Sequence, residues 1–264
     1  MDLNGTPMCT VGIFYASGTS GTVNEIATRN QIGSTPIGGG GTGCGYGIWA
    51  ENGAGSNQTI AVQNSSVHDF GESGISVWSD QGLSTLAGTI YANFVTGPAS
   101  WFGNSTGVLA SGASSSITNN FVTGGLGTQR IGPFDGILVE QGQAGGGAVF
   151  TVSRNTLADF RSQFHDGSSG MAIADNSTAQ SNKVSNAFVG IDSIGFFAGP
   201  TMTSNTIMNT DFGIDFSCAG NSALTFSKNT MNDSAVGFIS IPPQGSVQSN
   251  QLDNIDTIVG FPCQ

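Results

Sequence analysis

Three segments decide the fold, and they read NKVSNAFVGID (Asn182–Asp192), NTIMNTDFGID (Asn205–Asp215) and NTMNDSAVGFI (Asn229–Ile239). Each segment begins with Asn, places an apolar residue two positions later and reaches a Gly eight positions after the Asn. The segments recur after 23 and 24 residues, and their apolar residues alternate or form short runs instead of following a helical spacing. A repeat of this length is typical of a solenoid built from stacked coils.

The same pattern extends over most of the chain as three columns of residues. The first column holds Asn24, Asn93, Asn120, Asn155, Asn182, Asn205, Asn229 and Asn250, with Ser65 in the place of Asn. The second column, two residues after the apolar residue, holds Asp69, Gly124, Asp159, Asn186, Asn209, Asp233 and Asn254. The third column holds Gly74, Gly107, Gly136, Gly170, Gly190, Gly213 and Gly237, each followed by an apolar residue. We expect the Asn column to form a ladder of stacked amides and the second column to form a corner.

A single coil of this kind cannot bury its own apolar side chains, so neighbouring coils must stack and share one core. The sequence therefore predicts an all-β, single-stranded right-handed parallel β-helix of about nine coils, with three short strands in each coil. We expect one domain over residues 1–264, with irregular or capping ends near 1–21 and 258–264. The chain would then be either a whole secreted protein or a fragment of a longer one.

Composition limits the partners that the protein can take. The chain of 264 residues has only six Lys and Arg and a net charge of −11, so it cannot neutralise a row of phosphates and we expect no nucleic acid partner. No run of eighteen apolar residues is present, so we expect no membrane insertion. The four cysteines form no Cys-x-x-Cys pair, so we expect no zinc site, and two disulfides would suit a protein that is secreted or at the cell surface. We favour a Cys9–Cys44 pair, and buried free thiols are the alternative.

Three consecutive coils carry insertions at one corner. The step from the apolar residue to the next Gly is six residues in the late coils, but it is twelve from Val95, fourteen from Val122 and thirteen from Leu157. Because these insertions enter at the same corner, they must lie side by side. A solenoid does not need such loops for its stability, and insertions on one face of a repeat protein usually build its binding surface.

The insertions carry the residue types that bind sugars, since a ring can stack on a pyranose while polar groups bond its hydroxyls. Our candidates for substrate binding are Trp101, Phe102, Arg130, Asp135, Phe164 and Asp166. Our candidates for proton transfer in the same loops are Arg161 and His165. The alternative is that the aromatic residues only fix the loops to the wall of the solenoid.

An acidic pair follows the corner, at the outward position after the Gly-apolar step. This position holds Ser76, Leu109, Leu138, Ala172, Asp192, Asp215 and Ile239 in successive coils. The Cα atoms of Asp192 and Asp215 should therefore lie about 5 Å apart. Two such carboxylates can act as an acid and a base, or bind Ca²⁺ with Asp211 as a further ligand, or extend into water. No cofactor is required by this pattern, and calcium is the one that it allows.

The columns from about Val23 to Phe261 resemble the right-handed parallel β-helix superfamily, which includes pectate lyases, polygalacturonases, mannuronan epimerases and phage tailspikes. The resemblance implies the fold, because the shared residues are those of the ladder. Asn209-Thr210-Asp211 is similar to the first polygalacturonase motif, but the Asp-Asp, Gly-His-Gly and Arg-Ile-Lys motifs of that family are absent. The epimerase Asp-Pro-His motif is also absent, and Arg161 lies in a different coil from the acidic pair, unlike the arrangement in pectate lyases.

Two functions follow from these observations. The first is a carbohydrate-active protein that binds a polysaccharide or glycan at the three insertions and cleaves it as a lyase or a hydrolase does. The second is a non-catalytic structural, adhesion or sugar-binding module. The clustered insertions favour the first function, while the missing motifs favour the second.

Overall fold

The computed structural model describes residues 10–29, 45–52, 57–68, 70–79, 86–97, 100–102, 105–124, 129–131, 133–142, 147–161, 168–194, 199–216, 225–239 and 249–259. Every regular element in these ranges is a β-strand, and the strands pair in parallel with strands of the neighbouring coils. The chain is a parallel β-helix, as the sequence predicts. The described residues contain no helix long and apolar enough to span a bilayer.

The strands line three faces of the helix. The first face contains β2 (Gly21–Asn24), β5 (Gln58–Gln63), β8 (Leu86–Tyr91), β12 (Ser114–Thr118), β16 (Phe150–Ser153), β19 (Ser177–Gln180), β21 (Thr201–Thr203) and β23 (Thr225–Ser227). The second face contains β3 (Ala27–Arg29), β6 (Ser66–His68), β9 (Phe94–Thr96), β13 (Phe121–Thr123) and β17 (Thr156–Ala158). The third face contains β1 (Thr10–Tyr15), β4 (Gly45–Asn52), β7 (Ser73–Ser79), β11 (Ser105–Ser111), β15 (Phe134–Glu140) and β18 (Ser169–Ile173).

In the late coils, one long strand covers the second and third faces together. These strands are β20 (Lys183–Ser193), β22 (Thr206–Asp215), β24 (Thr230–Ile239) and β25 (Gln251–Val259). The first three are the coils with the six-residue step, so the strand continues where no insertion separates the two faces. Asn186, Asn209 and Asp233 bend these strands with φ angles of 55°, 52° and 54°. Asp159 and Asn254 also have positive φ, as the corner column predicts, whereas Gly124 does not and Asp69 lies outside the described residues.

The predicted amide ladder is present. The side-chain Nδ2 of Asn182 donates to Oδ1 of Asn205 at 3.0 Å, and Asn205 donates in the same way to Asn229 at 3.0 Å. The same bond links each neighbouring pair from Asn93 to Asn250. Because these amides are buried, the ladder satisfies polar groups that would otherwise be costly inside the solenoid.

In the first coil, the residue predicted for the ladder, Asn24, lies two residues before the true ladder position. Asn24 pairs with Gln63, and Ala27 pairs with Ser66, so Ile26 occupies the ladder position of the first coil. The backbone N–H of Ile26 donates to the Ser65 hydroxyl at 3.3 Å. A backbone donor thus replaces the amide where the first coil has an apolar residue.

A column of left-handed residues precedes the ladder and was missed in the sequence. Its φ angles lie between 50° and 65°, and it contains Glu25, Asn64, Ala92, Asn119, Arg154, Ser181, Ser204, Lys228 and Ser249. Only two of these nine residues are Asn, the residue type that most readily accepts this conformation, so residue type alone does not reveal the turn.

The Gly column permits close approach of successive coils on the third face. A Cβ atom placed on Gly190 would lie 2.5 Å from the carbonyl oxygen of Gly213, and one on Gly213 would lie 2.5 Å from that of Gly237. Any side chain at these positions would therefore meet backbone atoms of the next coil. The predicted column is confirmed as a packing requirement.

Large apolar side chains fill the core between the three faces. Phe70, Phe134 and Phe160 are almost fully buried and pack in series, with ring centroids 6.1 Å apart for the first pair and 5.7 Å for the second. Phe134 falls within the second insertion in the sequence, between Val122 and Gly136, and the structure places its side chain in the core. The residue that ends the second insertion therefore anchors it to the solenoid.

On the first face, the outward positions form a row that the sequence periodicity did not show. In register, the row contains Thr22, Ala61, Thr89, Ser116, Thr151, Thr178, Thr201 and Thr225. The next outward row contains Asn24, Gln63, Tyr91, Thr118, Ser153, Gln180, Thr203 and Ser227. Neither row contains a charged residue, and β-branched Thr suits the exposed side of a pleated sheet.

Candidate functional site

The third face presents an outward column that continues along the described coils. Its members in register are Phe14, Trp49, Ser76, Leu109, Leu138, Ala172, Asp192, Asp215 and Ile239, of which Ser76, Ala172 and Ile239 are buried. The sequence predicted this column from Ser76 onward. The register adds Trp49 one coil earlier and Phe14 one coil before that.

Asp192 and Asp215 are adjacent members of this column. They are partners in the pairing of β20 with β22, so their Cα atoms are one strand spacing apart, about 5 Å. Both side chains are partly exposed on the outer surface, in contrast to Ile191 and Ile214, which precede them and are buried in the core. The predicted acidic pair is therefore confirmed in its placement, and its chemical role stays a prediction.

Asp211 does not join this pair. It lies four residues before Asp215 on the same strand, which corresponds to about 13 Å along an extended chain. Instead, Oδ1 of Asp211 accepts a hydrogen bond from Nη2 of Arg161 at 2.9 Å. The Nε of Arg161 also donates to the carbonyl oxygen of Ala187 at 3.3 Å. The side chain of Arg161 thus extends over the neighbouring coil, which contains Ala187, to the coil after it, which contains Asp211. It links three successive coils.

A calcium site formed by Asp192, Asp211 and Asp215 does not fit this geometry. Within the part of the chain that the structure describes, no three His, Cys, Asp or Glu side chains come together to hold a metal ion. We therefore derive no chemical step through calcium. The roles proposed for Arg161 in catalysis stay predictions, but the structure also gives its guanidinium a structural contact.

Asp135 occupies the outward position at the start of β15. Its Oδ1 accepts hydrogen bonds from the hydroxyl of Ser169 at 2.5 Å and from the backbone N–H of Ser169 at 3.3 Å. Burial raises the pKa of the Asp135 carboxyl above its ordinary value, although these two hydrogen bonds act in the opposite direction. A carboxyl whose protonated form is favoured in this way can serve as a proton donor.

The first two insertions lie side by side, as predicted. The strand β10 (Ser100–Phe102) pairs in parallel with β14 (Gln129–Ile131), in a small sheet separate from the three faces. In this pairing Trp101 is the partner of Arg130, and Phe102 is the partner of Ile131. Since the insertions connect the second face to the third, the small sheet borders the third face.

The remaining predicted residues are described in part or not at all. Phe164, His165 and Asp166 lie outside the described residues, and the side chains of Trp101, Phe102 and Arg130 are also outside them. The four cysteines are outside them as well, so the Cys9–Cys44 pairing stays a prediction.

An aromatic cluster at the start of the third face was missed in the sequence. The rings of Tyr46 and Trp49 stack with centroids 4.8 Å apart, and the ring of Phe14 lies 5.1 Å from that of Trp49. Phe14 is 51% exposed. The signal was present, because Gly47-Ile48-Trp49 repeats the Gly-apolar-x pattern of the later coils. We call Phe14, Tyr46 and Trp49 the aromatic cluster.

The aromatic cluster is joined to a carboxylate. The Tyr46 hydroxyl donates a hydrogen bond to the carboxylate of Glu72, just before β7. Burial, this hydrogen bond and the negative charge of Glu72 together raise the pKa of Tyr46 well above its ordinary value. The phenol therefore remains protonated, and its hydroxyl stays a hydrogen-bond donor to Glu72.

The outer surface of the third face is acidic over its described length. Its outward positions include five carboxylates, and Glu72 adds a sixth beside them; the six are Glu51, Glu72, Asp135, Glu140, Asp192 and Asp215. The third-face parts of the described strands contain no Lys, Arg or His, since Lys183 of β20 lies on the second-face part of its strand. Asp192 and Asp215 are cross-strand partners, and because like charges on neighbouring strands repel each other, the fold alone gives no reason for this pair.

Comparisons with known proteins add little to this geometry. No protein-family model matches the sequence, and no curated protein matches it. Among solved structures, the chain is similar to the Azotobacter vinelandii mannuronan C-5 epimerase AlgE4 A-module, with 11% identity and a TM-score of 0.33. The match covers 80% of this chain and 60% of that module. The parallel register described above, and not this likeness, establishes the β-helix.

Proposed function

We propose that the protein binds a polysaccharide along its third face, with the small sheet of β10 and β14 as a wall at one side. The observation that carries this proposal is the pairing of the two insertions. It brings the backbone of Trp101 next to that of Arg130 at the border of a face that already holds the aromatic cluster and the acidic pair.

The chemistry of this face suits a sugar chain. Aromatic rings such as Trp49 offer apolar area together with a polar edge, and carboxylates accept hydrogen bonds from hydroxyl groups. The face is also long, because the outward column crosses eight coils from Trp49 to Ile239. A polymer with repeated hydroxyl groups can use such a surface better than a small molecule can. A ligand of this kind fits a secreted or cell-surface protein, and we propose that location.

The placement of Asp192 beside Asp215 favours hydrolysis as a second activity. Retaining glycosidases hold two carboxyl groups about 5–5.5 Å apart, one as nucleophile and one as acid and base. The register gives a Cα spacing of about 5 Å for this pair, which is a different quantity but allows rotation of the two side chains to bring their carboxyl groups to that separation. A lyase would instead need Arg161 or His165 as a base, and the guanidinium of Arg161 is bound to Asp211. Hydrolysis therefore agrees better with the described residues than elimination does.

A panel of neutral, acidic and amino polysaccharides tests both proposals. Binding is measured by affinity electrophoresis, and cleavage by new reducing ends and by ultraviolet absorbance of an unsaturated product, with added Ca²⁺ or a chelator. We expect binding to at least one polysaccharide, and new reducing ends without ultraviolet absorbance. The double variant Asp192→Asn/Asp215→Asn should abolish cleavage, while Asp253→Asn, on the exposed second-face side of β25, should leave it unchanged.

Each outcome of the panel has a defined meaning. An unsaturated product would replace the hydrolase proposal with a lyase that uses Arg161 or His165. Binding without cleavage would support a sugar-binding module and overturn hydrolysis. A folded protein that binds no polysaccharide in the panel would contradict the proposed function.

A further inference from the structure

We infer that the glycan contains amino sugars with protonated amino groups, and that the aromatic cluster binds one end of the chain. The inference rests on the proposed function and specifies its ligand. Two independent features of the third face support it, namely the sign of its charge and the geometry of Phe14, Tyr46 and Trp49.

The charge of the face selects the class of sugar. The third-face parts of the described strands carry carboxylates and no Lys, Arg or His, and the guanidinium of Arg161 at their corner is bound to Asp211. A chain of uronic acids would place like charges against Glu51, Glu140 and the acidic pair, which costs free energy at short range. A chain of glucosamine units would place an ammonium group near these carboxylates instead. Charge complementarity of this kind determines which partner is accepted.

The aromatic cluster suits the same ligand. The ring centroid of Trp49 lies 4.8 Å from that of Tyr46 and 5.1 Å from that of Phe14, and Phe14 is 51% exposed, so the three rings pack together and present aromatic surface to solvent. An ammonium group within about 6 Å of a Trp or Tyr ring is attracted by the electrons of the ring face. The carboxylate of Glu72, which accepts the Tyr46 hydrogen bond, adds a negative charge at the edge of the cluster. An amino sugar can therefore stack on the cluster and be attracted by charge at once.

The distance between the cluster and the acidic pair sets the length of the ligand. Five coil spacings separate Trp49 from Asp192 in the outward column, which corresponds to about 24 Å. A disaccharide can reach only one of the two regions, whereas a longer chain can contact both. We therefore expect affinity to increase with chain length until the chain spans this distance.

The test uses the whole chain of this protein and three probes of equal length. The probes are a glucosamine oligosaccharide, the same oligosaccharide with its amino groups acetylated, and an oligogalacturonate. Isothermal calorimetry at low ionic strength should give the glucosamine probe at least a tenfold higher affinity than the acetylated probe. Added salt should weaken the glucosamine complex, because salt screens interactions between exposed charges.

Variants locate the binding site. Trp49→Ala should lower the affinity for the glucosamine probe about tenfold, which is the factor expected for about 1.4 kcal/mol of a ring contact. The matched control is Phe121→Ala, because Phe121 is an exposed aromatic residue that stacks on Phe94 at 4.9 Å on the second face. A second variant, Glu51→Gln/Glu140→Gln, removes two charges without removing a ring and should weaken binding in the same direction.

The outcomes separate this inference from the proposed function. Equal or tighter binding of the acetylated or acidic probe would overturn the amino-sugar assignment and leave polysaccharide binding in place. Equal loss of affinity in Trp49→Ala and Phe121→Ala, or in neither, would overturn the role of the aromatic cluster. Failure of all three probes, together with a silent polysaccharide panel, would contradict the proposed function itself.

Discussion

The first and third faces of the solenoid share one scaffold and differ in what they present to solvent. Both are parallel sheets in strict register, and both are backed by buried apolar columns. The first face presents two rows without charge, largely Thr and Ser, whereas the third presents six carboxylates and the aromatic cluster. The fold therefore does not determine the outward residues. The carboxylates and aromatic rings of the third face call for an explanation by function.

The cost of the acidic pair strengthens this comparison. Like charges directly opposite each other on neighbouring strands destabilise a sheet, by roughly 0.2–1 kcal/mol. In the same two coils, the first face has an uncharged pair at its outward position, Thr178 and Thr201. Binding and catalytic sites commonly retain residues that reduce stability.

The largest expected effect concerns the scaffold that both faces share. Asn205→Leu removes the acceptor of two hydrogen bonds from Asn182 and leaves those buried donors unpaired. At about 1–3 kcal/mol for each unpaired group, the free energy of unfolding should fall by about 3 kcal/mol. Chemical denaturation measures this loss, with Thr203→Val on the first face as a nearly neutral control. An unchanged unfolding midpoint would show that the ladder does not stabilise the fold.

Exchanging residues between the two faces tests the comparison directly. Asp192→Thr/Asp215→Thr gives the third face the residues of the first, so glycan affinity should fall more than tenfold while the free energy of unfolding rises by about 0.5 kcal/mol. The reverse change, Thr178→Asp/Thr201→Asp, should destabilise the first face by a similar amount without creating a binding site. Denaturation and calorimetry measure the two effects. A destabilised Thr variant would mean that the acidic pair is structural.

The ion pair at the corner should have a smaller effect. Arg161→Met breaks the 2.9 Å contact with Asp211, and because both side chains are partly exposed we expect a loss of about 1 kcal/mol or less. If polysaccharide cleavage survives in this variant, Arg161 is not the catalytic base. Complete loss of cleavage with full stability would instead restore the catalytic role that the sequence suggested.

The smallest effect is a pH dependence due to Asp135. Its pKa is raised in the folded state, so the folded protein binds the proton more tightly than the unfolded chain does. The resulting stability is present at pH values below the unfolded pKa of about 3.9 and is lost as the pH rises through the folded pKa. Asp135→Asn should remove this dependence in denaturation series at several pH values. If the stability of Asp135→Asn depended more steeply on pH than that of the unchanged protein, Asp135 would not be the source of the dependence.

Much of the fold was predictable because its strongest requirements select particular residue types. The ladder needs an amide, and the third-face corner needs Gly, so Asn205 and Gly213 could be identified from their spacing. The left-handed turn before the ladder accepts Lys228 and Ala92 as well as Asn, so residue type did not reveal it. In the first coil, Ile26 replaces the amide by a backbone donor, and Asn24 was assigned in its place.

For the candidate site, the sequence could predict only those neighbours that follow from the strand register between successive coils. The neighbouring positions of Asp192 and Asp215 follow from counting residues within a regular repeat. The contact between Arg161 and Asp211 does not, because it joins residues 50 positions apart and depends on how a long side chain crosses one coil. The aromatic cluster was missed because the pattern was not extended back to Gly47.

The most direct test of the account is a titration of intrinsic tryptophan fluorescence with the polysaccharide that binds best. The chain has three Trp residues: Trp49 and Trp78 on the third face, and Trp101 on the insertion strand β10 that borders it. If the third face is the binding face, fluorescence should change saturably at the concentrations that affinity electrophoresis gives, and the bound glycan should protect the fluorescence from a soluble quencher. Binding by electrophoresis with unchanged fluorescence and quenching would place the glycan elsewhere and contradict the central claim.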